Sequence, residues 1–250
     1  MVASALCLSV GQAVGAQGSP VLPAQYDIGG REGPSPVEIE RAIELATGYL
    51  ERACGPDGKF AYKVEIGSGR ESSSYDIIRH AGAIYALAMA NRHHPDPKAV
   101  DAMVRAAGFL RQNYLGTGVR PDQFVVWSKP LGEAPERQYA ELGGAGLGLV
   151  ALAAVREVDP KSVPLNDLQH LGRFVLFLQK EDGSFVSKYS REGGPVLHWE
   201  SLYYPGEAAL GLIALYEADH SAEWLERVSK TPPKRNPEAG EIKEGAVSTE

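Results

Sequence analysis

Three helix-length stretches in this chain each close on an apolar run, and they recur at a nearly fixed interval. "SYDIIRHAGAIYAL" (Ser74–Leu87), "YAELGGAGLGLVAL" (Tyr139–Leu152) and "LYYPGEAALGLIAL" (Leu202–Leu215) align on closing apolar tetrads that end 65 and then 63 residues apart. The runs they close on, such as "AGAIYALAMA" and "AGLGLVALAAV", have no polar face. A helix of that kind has to be surrounded by other helices. Its glycines and alanines let backbones approach closely, at some cost in helix propensity. A repeat at this period is the signature of a stacked array.

Each run follows a helix of a different character. "PVEIERAIELATGYLERAC", "PKAVDAMVRAAGFLRQNYL" and "LNDLQHLGRFVLFLQK" carry apolar residues at three-to-four spacing among charged ones. In the first, Ile39, Ile43, Leu45 and Leu50 oppose Glu38, Arg41, Glu44 and Glu51, which predicts one stripe on protein and one in water. The loops "GPDGKF", "GTGVRPDQF" and "EDGSF" then supply positive-φ turn residues that reverse the chain. The expectation is an all-α fold of three helical hairpins, two-faced helices outside and uncharged ones inside.

The "FLQKEDGSF" loop, Phe177–Phe185, resembles the Q-x-x-D-G-S-F/W repeats of the squalene-cyclase and protein-prenyltransferase toroids. The hairpin order is similar to the six-hairpin glycosidases and to toroid-type polysaccharide lyases and epimerases. The resemblance covers Pro36 to about Ser229 and implies an α/α toroid. A closed ring would need six hairpins; three are found, plus the short helix "SAEWLERVSK", so a partial toroid is expected. The expected layout is a truncated signal peptide over 1–16, a linker over 17–35, the helical domain over 36–229 and a disordered polar tail over 230–250.

The signal-peptide expectation rests on the apolar stretch Val2–Val10 and on Val14-Gly15-Ala16 before Gln17, a small-x-small cleavage pattern without a basic n-region. It implies a periplasmic or secreted protein, a cytoplasmic one being the alternative. There are 25 Lys and Arg against 32 Asp and Glu, and the missing cationic cluster argues against a nucleic-acid partner. No other run is apolar enough to span a membrane. Cys7 and Cys54 form neither a disulfide framework nor a metal spacing. His198-x-Glu200 with His80 is too sparse for a zinc site. No strand is expected before "GGAGLG", which also lacks a Walker lysine, and no D-x-D-D occurs, which demotes phosphate binding and terpene cyclisation. Neither a cofactor nor a metal is expected.

In the families resembled, inner helices point their N-termini at a central funnel where substrate binds. The corresponding positions here are Tyr75, Asp76, Arg79 and His80 in the first copy, Tyr139 and Glu141 in the second, and Glu200, Tyr203, Tyr204 and Glu207 in the third. Asp76/His80, Tyr75/Arg79 and Tyr203/Glu207 are each four apart and share a helix face. Asp76, Glu141 and Glu207 are candidates for general acid and base in glycoside hydrolysis, which needs one carboxyl protonated and another ionised. His80 or a tyrosine could instead abstract a proton beside a uronate carboxylate neutralised by Arg79, as the resemblance to lyases and epimerases implies. Tyr75, Trp199, Glu200, Tyr203 and Tyr204 would contact the sugar. The plainer alternative is that Asp76 and Glu207 cap helices and that Arg79 pairs with Glu141 or Glu207. The leading expectation is an exported carbohydrate-active enzyme on an oligo- or polysaccharide, hydrolase-like or uronate lyase- or epimerase-like. The alternatives are a non-catalytic carbohydrate- or protein-binding module and an inactive fragment of a larger toroid enzyme. An open ring also allows self-association that completes it.

Overall fold

A computed structural model describes residues 33–72 and 74–231. The expected signal peptide, residues 17–32 of the linker and the tail beyond residue 231 lie outside the described residues. The chain divides into two units, Met1–Ile39 and Glu40–Glu250, and the architecture below, apart from the first residues of α1 and their cap, is that of the second.

Helix α1 (Pro36–Ala53) opens with a capping box, Glu38 accepting the Ser35 amide at 2.8 Å while Ser35 Oγ accepts the Glu38 amide. Helix α2 (Ile77–His93) starts on Asp76, whose Oδ1 accepts the Ile78 amide at 2.9 Å. Helix α3 (Pro97–Asn113) starts on Asp96 in the same way, with proline at its first position. Then follow α4 (Leu142–Val158), α5 (Leu165–Phe177), α6 (Tyr204–Asp219) and α7 (Ala222–Val228).

Helix α4 packs between α2 and α6; α3 lies on α2 and α4, α5 on α4 and α6, and α7 on α6. The predominantly apolar helices α2, α4 and α6 therefore form an inner row and α3, α5 and α7 an outer one. Central α4 buries 12 of its 17 residues. Outer α3 buries a single stripe: Ala99, Ala102, Met103, Ala106, Ala107 and Leu110. The row ends differently from the expectation. α1 has no buried residue, and Leu45 and Tyr49 are 56% and 57% exposed. Only Leu50 and Ala53 rest against the core, because α2 spends its packing surface on α3 and α4.

The first and third loops fold alike, as their sequences predict. Gly55 N–H donates to Lys59 O and Lys180 N–H to Ser184 O, and Asp57 and Asp182 each accept an amide two residues on. Gly58 and Gly183 both sit at φ +83°, where a side chain is strained. Phe60 and Phe185 plug the core after them. The long loops before α4 and α6 carry short strands that helical periodicity does not reveal. β1 (Leu115–Thr117) pairs antiparallel with β2 (Phe124–Val126), and β3 (Tyr139–Glu141) with β4 (Lys188–Ser190), which in turn pairs with β5 (Gly194–Pro195).

One polar network belongs to this core. His80 is 2% exposed, with Nε2 2.9 Å from Ala106 O and Nδ1 2.7 Å from the Tyr75 hydroxyl. With Nε2–H donating to the carbonyl, Nδ1 accepts from Tyr75 O–H, and the Tyr75 oxygen accepts the Phe60 amide at 3.1 Å. Burial lowers the His80 pKa to about 4. An unfolded histidine titrates near 6.5, so the unfolded chain binds this proton first as pH falls. Stability is fully present above about pH 6.5 and declines towards pH 4, by about 3 kcal/mol for this group. Glu141 and Glu207, raised by burial, act in the opposite sense. The His80 share is therefore the difference between wild type and His80→Gln in denaturant midpoints at pH 7 and pH 4.5. Wild type is expected to lose more than the variant.

Candidate functional site

The N-termini of α2, α4 and α6 lie at one end of the inner row, and Ser187, just before strand β4, fixes the mouths of two of them. Ser187 O accepts the Leu142 amide at the start of α4, while Ser187 Oγ accepts the Ser201 amide at 3.0 Å. Ser201 Oγ then accepts the Tyr203 and Tyr204 amides at the start of α6. The β3–β4 register sets Glu141 directly opposite Lys188.

Helices α4 and α6 meet backbone to backbone. A Cβ on Gly146 would lie 2.4 Å from Glu207 O, and one on Gly211 would lie 2.6 Å from Gly146 O. One turn towards the mouth, the space a Cβ on Gly143 would fill is taken by Glu207 Oε2 (2.3 Å) and the Tyr204 ring (2.4 Å). Missing side chains on α4 thus seat the Glu207 carboxyl and Tyr204 against its first turn.

Burial raises the Glu141 carboxyl above its usual range; the Lys188 ammonium pulls it back and the Asp76 charge adds to the rise. Burial also raises Glu207, whose Oε2 is buried without a hydrogen-bond partner. Tyr204 faces Glu141, and burial with the surrounding charges of Glu141, Glu207 and Asp76 holds its phenol protonated. The Lys188 ammonium lies 3.7 Å from the Tyr139 ring centroid and 5.6 Å from that of Trp199, and Trp199 lies 5.6 Å from Tyr204. Two half-buried carboxyls, a third at the rim, a phenol, an ammonium and an aromatic wall share one mouth. Such a set can donate a proton, accept one and stack against a sugar ring.

Asp76, Glu141, Glu207, Tyr204 and Trp199, all candidates from the sequence, meet here. Asp76 also caps α2, the role weighed against a catalytic one, and its free Oδ2 lies 3.6 Å from Arg79 Nε. Arg79 pairs with neither Glu141 nor Glu207; its side chain is 72% exposed, over the Tyr62 ring. His80 and Tyr75 serve the buried α2–α3 network, and His80 presents no face to a ligand. Tyr203 is 76% exposed and Glu200 is exposed, both on the approach to α6. Lys188 went unnoticed in the sequence because it lies outside the helical repeat. Its signal was the period-two alternation of Phe185, Ser187 and Tyr189, which are buried, with half-buried Val186, Lys188 and Ser190.

A cavity of about 720 Å³ opens at the opposite, C-terminal end of the inner row, walled by residues such as Val150, Ala154, Leu210 and Ile213. Its arginines are engaged, Arg92 with Glu157 at 2.5 Å and Arg156 with the carbonyls of Pro160 and Val163. It lacks the convergence of raised carboxyls that marks the N-terminal mouth. Among the described residues no group of three or more His, Cys, Asp or Glu is placed to hold a metal ion. No described helix is long and apolar enough to cross a membrane.

No family model matches the chain, and no curated protein matches it. Solved structures do. A D-mannose isomerase matches with TM-score 0.58 at 14% identity, over 80% of this chain and 53% of its own. Cellobiose 2-epimerase from Spirochaeta thermophila matches with 0.60 at 14%, over 78% and 52%. The fold is the α/α toroid. A GH76 alpha-mannanase from Bacteroides thetaiotaomicron matches the same toroid architecture with 0.54 at 10% identity, over 77% and 59%. The chain spans about half the length of these toroid proteins.

Proposed function

We propose that this toroid chain is a carbohydrate-active enzyme whose acid–base chemistry takes place at the N-terminal mouth of α2, α4 and α6. The observation that carries the proposal is the pairing of two burial-raised carboxyls, Glu141 and Glu207, around the Tyr204 ring against Gly143. Their environments differ in the way an acid and a base require. Glu207 has an orphaned oxygen in a buried niche, and burial raises its carboxyl, which suits it to the acid role. Glu141 faces Lys188, which favours its ionised form, so it serves as base. Tyr204 orients Glu141, and Trp199 forms the wall against which a sugar ring stacks. The toroid neighbours are named as a sugar isomerase, two epimerases and a mannanase, which supports a sugar as substrate here. We further propose export, on the Val14-Gly15-Ala16 cleavage pattern.

The test is turnover on a panel of neutral and uronate oligo- and polysaccharides, following both new reducing ends and the absorbance of unsaturated products. Reducing ends alone identify hydrolysis, and unsaturated products identify elimination. A change in sugar configuration without either identifies epimerisation. Saturable binding with no product across the panel contradicts the enzyme and favours a carbohydrate-binding module.

A further inference from the structure

We infer that Lys188 reads a negative charge on the substrate, so that the ligand taken at this mouth is an acidic sugar carrying a carboxylate. The inference rests on the carbohydrate reading above and narrows it. Lys188 is the cross-strand partner of Glu141, and the ordinary outcome of that register is a direct ion pair. The ion pair is not formed: among the described residues, no carboxylate oxygen lies within 4.0 Å of the Lys188 ammonium. The ammonium has instead turned onto the Tyr139 ring at 3.7 Å, with the Trp199 ring at 5.6 Å. Two aromatic faces hold a cation in place without consuming its N–H donors. The result is an ammonium fixed beside the Trp199–Tyr204 wall with hydrogen-bonding capacity to spare.

The other cation at the mouth does not compete for this role. Arg79 is engaged with the α2-capping carboxylate of Asp76 and with Tyr62. The Asp76 and Glu141 carboxylates repel an anionic substituent, which is therefore accepted only where a fixed cation meets it. A sugar stacked on Trp199 would bring a ring substituent to Lys188. A carboxylate there gains a charge-assisted hydrogen bond that a neutral hydroxymethyl group or an ester lacks.

The experiment compares binding of oligosaccharides of galacturonic, glucuronic and mannuronic acid with that of their methyl esters, by calorimetry, for wild type, Lys188→Met and Lys188→Arg. For at least one pair, wild type is expected to favour the acid by about 10- to 100-fold. Lys188→Met is expected to lose that preference while keeping affinity for the ester, and Lys188→Arg to retain it. A lysine that only tuned Glu141 would leave the preference intact in Lys188→Met and move the pH profile alone; that result overturns the inference. Equal binding of acid and ester by wild type overturns it too. So does turnover of neutral sugars with no binding of any acid, and in that case the carbohydrate reading stands. No binding or turnover of any sugar sinks both.

Discussion

Gly146→Ala is expected to destabilise the folded chain by about 2 kcal/mol, although alanine is the better helix former. The added methyl would sit 2.4 Å from the Glu207 carbonyl oxygen and 2.5 Å from its carbon. These are backbone atoms of α6, so no rotamer change relieves the clash and the two helices must separate. Overpacking of this kind costs about 1–3 kcal/mol, whereas the gain in helix propensity is at most about 1 kcal/mol. In a domain of this size the loss corresponds to a fall in Tm of about 4–8 °C. Glycine to alanine at Gly82, whose Cβ would meet nothing within 4 Å, is the matched control, expected to be neutral or stabilising. Equal Tm values for Gly146→Ala and wild type would show that α4 and α6 are further apart than described.

The second large effect is on turnover. Glu207→Gln keeps the shape of the side chain and its fit against Gly143 but can neither hold nor transfer the catalytic proton. A loss of about 10²- to 10⁴-fold in kcat is expected, with substrate affinity retained. Glu141→Gln is expected to lose activity on a similar scale through the base. The acid must be protonated to work, so wild-type activity is expected to fall as pH rises through the raised Glu207 pKa. The base must be ionised, so activity also falls at low pH, giving a bell-shaped profile. Retained kcat in Glu207→Gln would remove that residue from the chemistry.

Much of the inner row was legible because its physics is one-dimensional. A run such as "AGLGLVALAAV" has no face that tolerates water, so its burial follows from composition alone. The two Asp-Gly loops announced their turns through glycine at positive φ. The meeting of Asp76, Glu141 and Glu207 followed from the repeat, because equivalent helix starts fall at one end of a row. Three things were hidden. His80 sits one helical turn from the mouth, and its spacing from Asp76 does not tell whether its ring faces solvent or α3. Lys188 reached the site through a strand register, a pairing between segments nearly 50 residues apart that helical periodicity cannot encode. The α1 stripe has the same amphipathic pattern as α3, yet a pattern specifies a face that prefers cover and not whether a neighbour supplies it.

The most direct measurement on the site itself is a ¹³C NMR pH titration of the glutamate side-chain carboxyls, in wild type and in Glu207→Gln. Burial raises both Glu141 and Glu207, so the site described here requires raised carboxyl signals of which one disappears in Glu207→Gln and responds to added oligosaccharide while that of Glu141 remains. If every glutamate titrates in the ordinary range near 4.3, or if no raised signal is lost on the substitution, the Glu207 niche holds no proton and the inner-helix mouth is not an acid–base site.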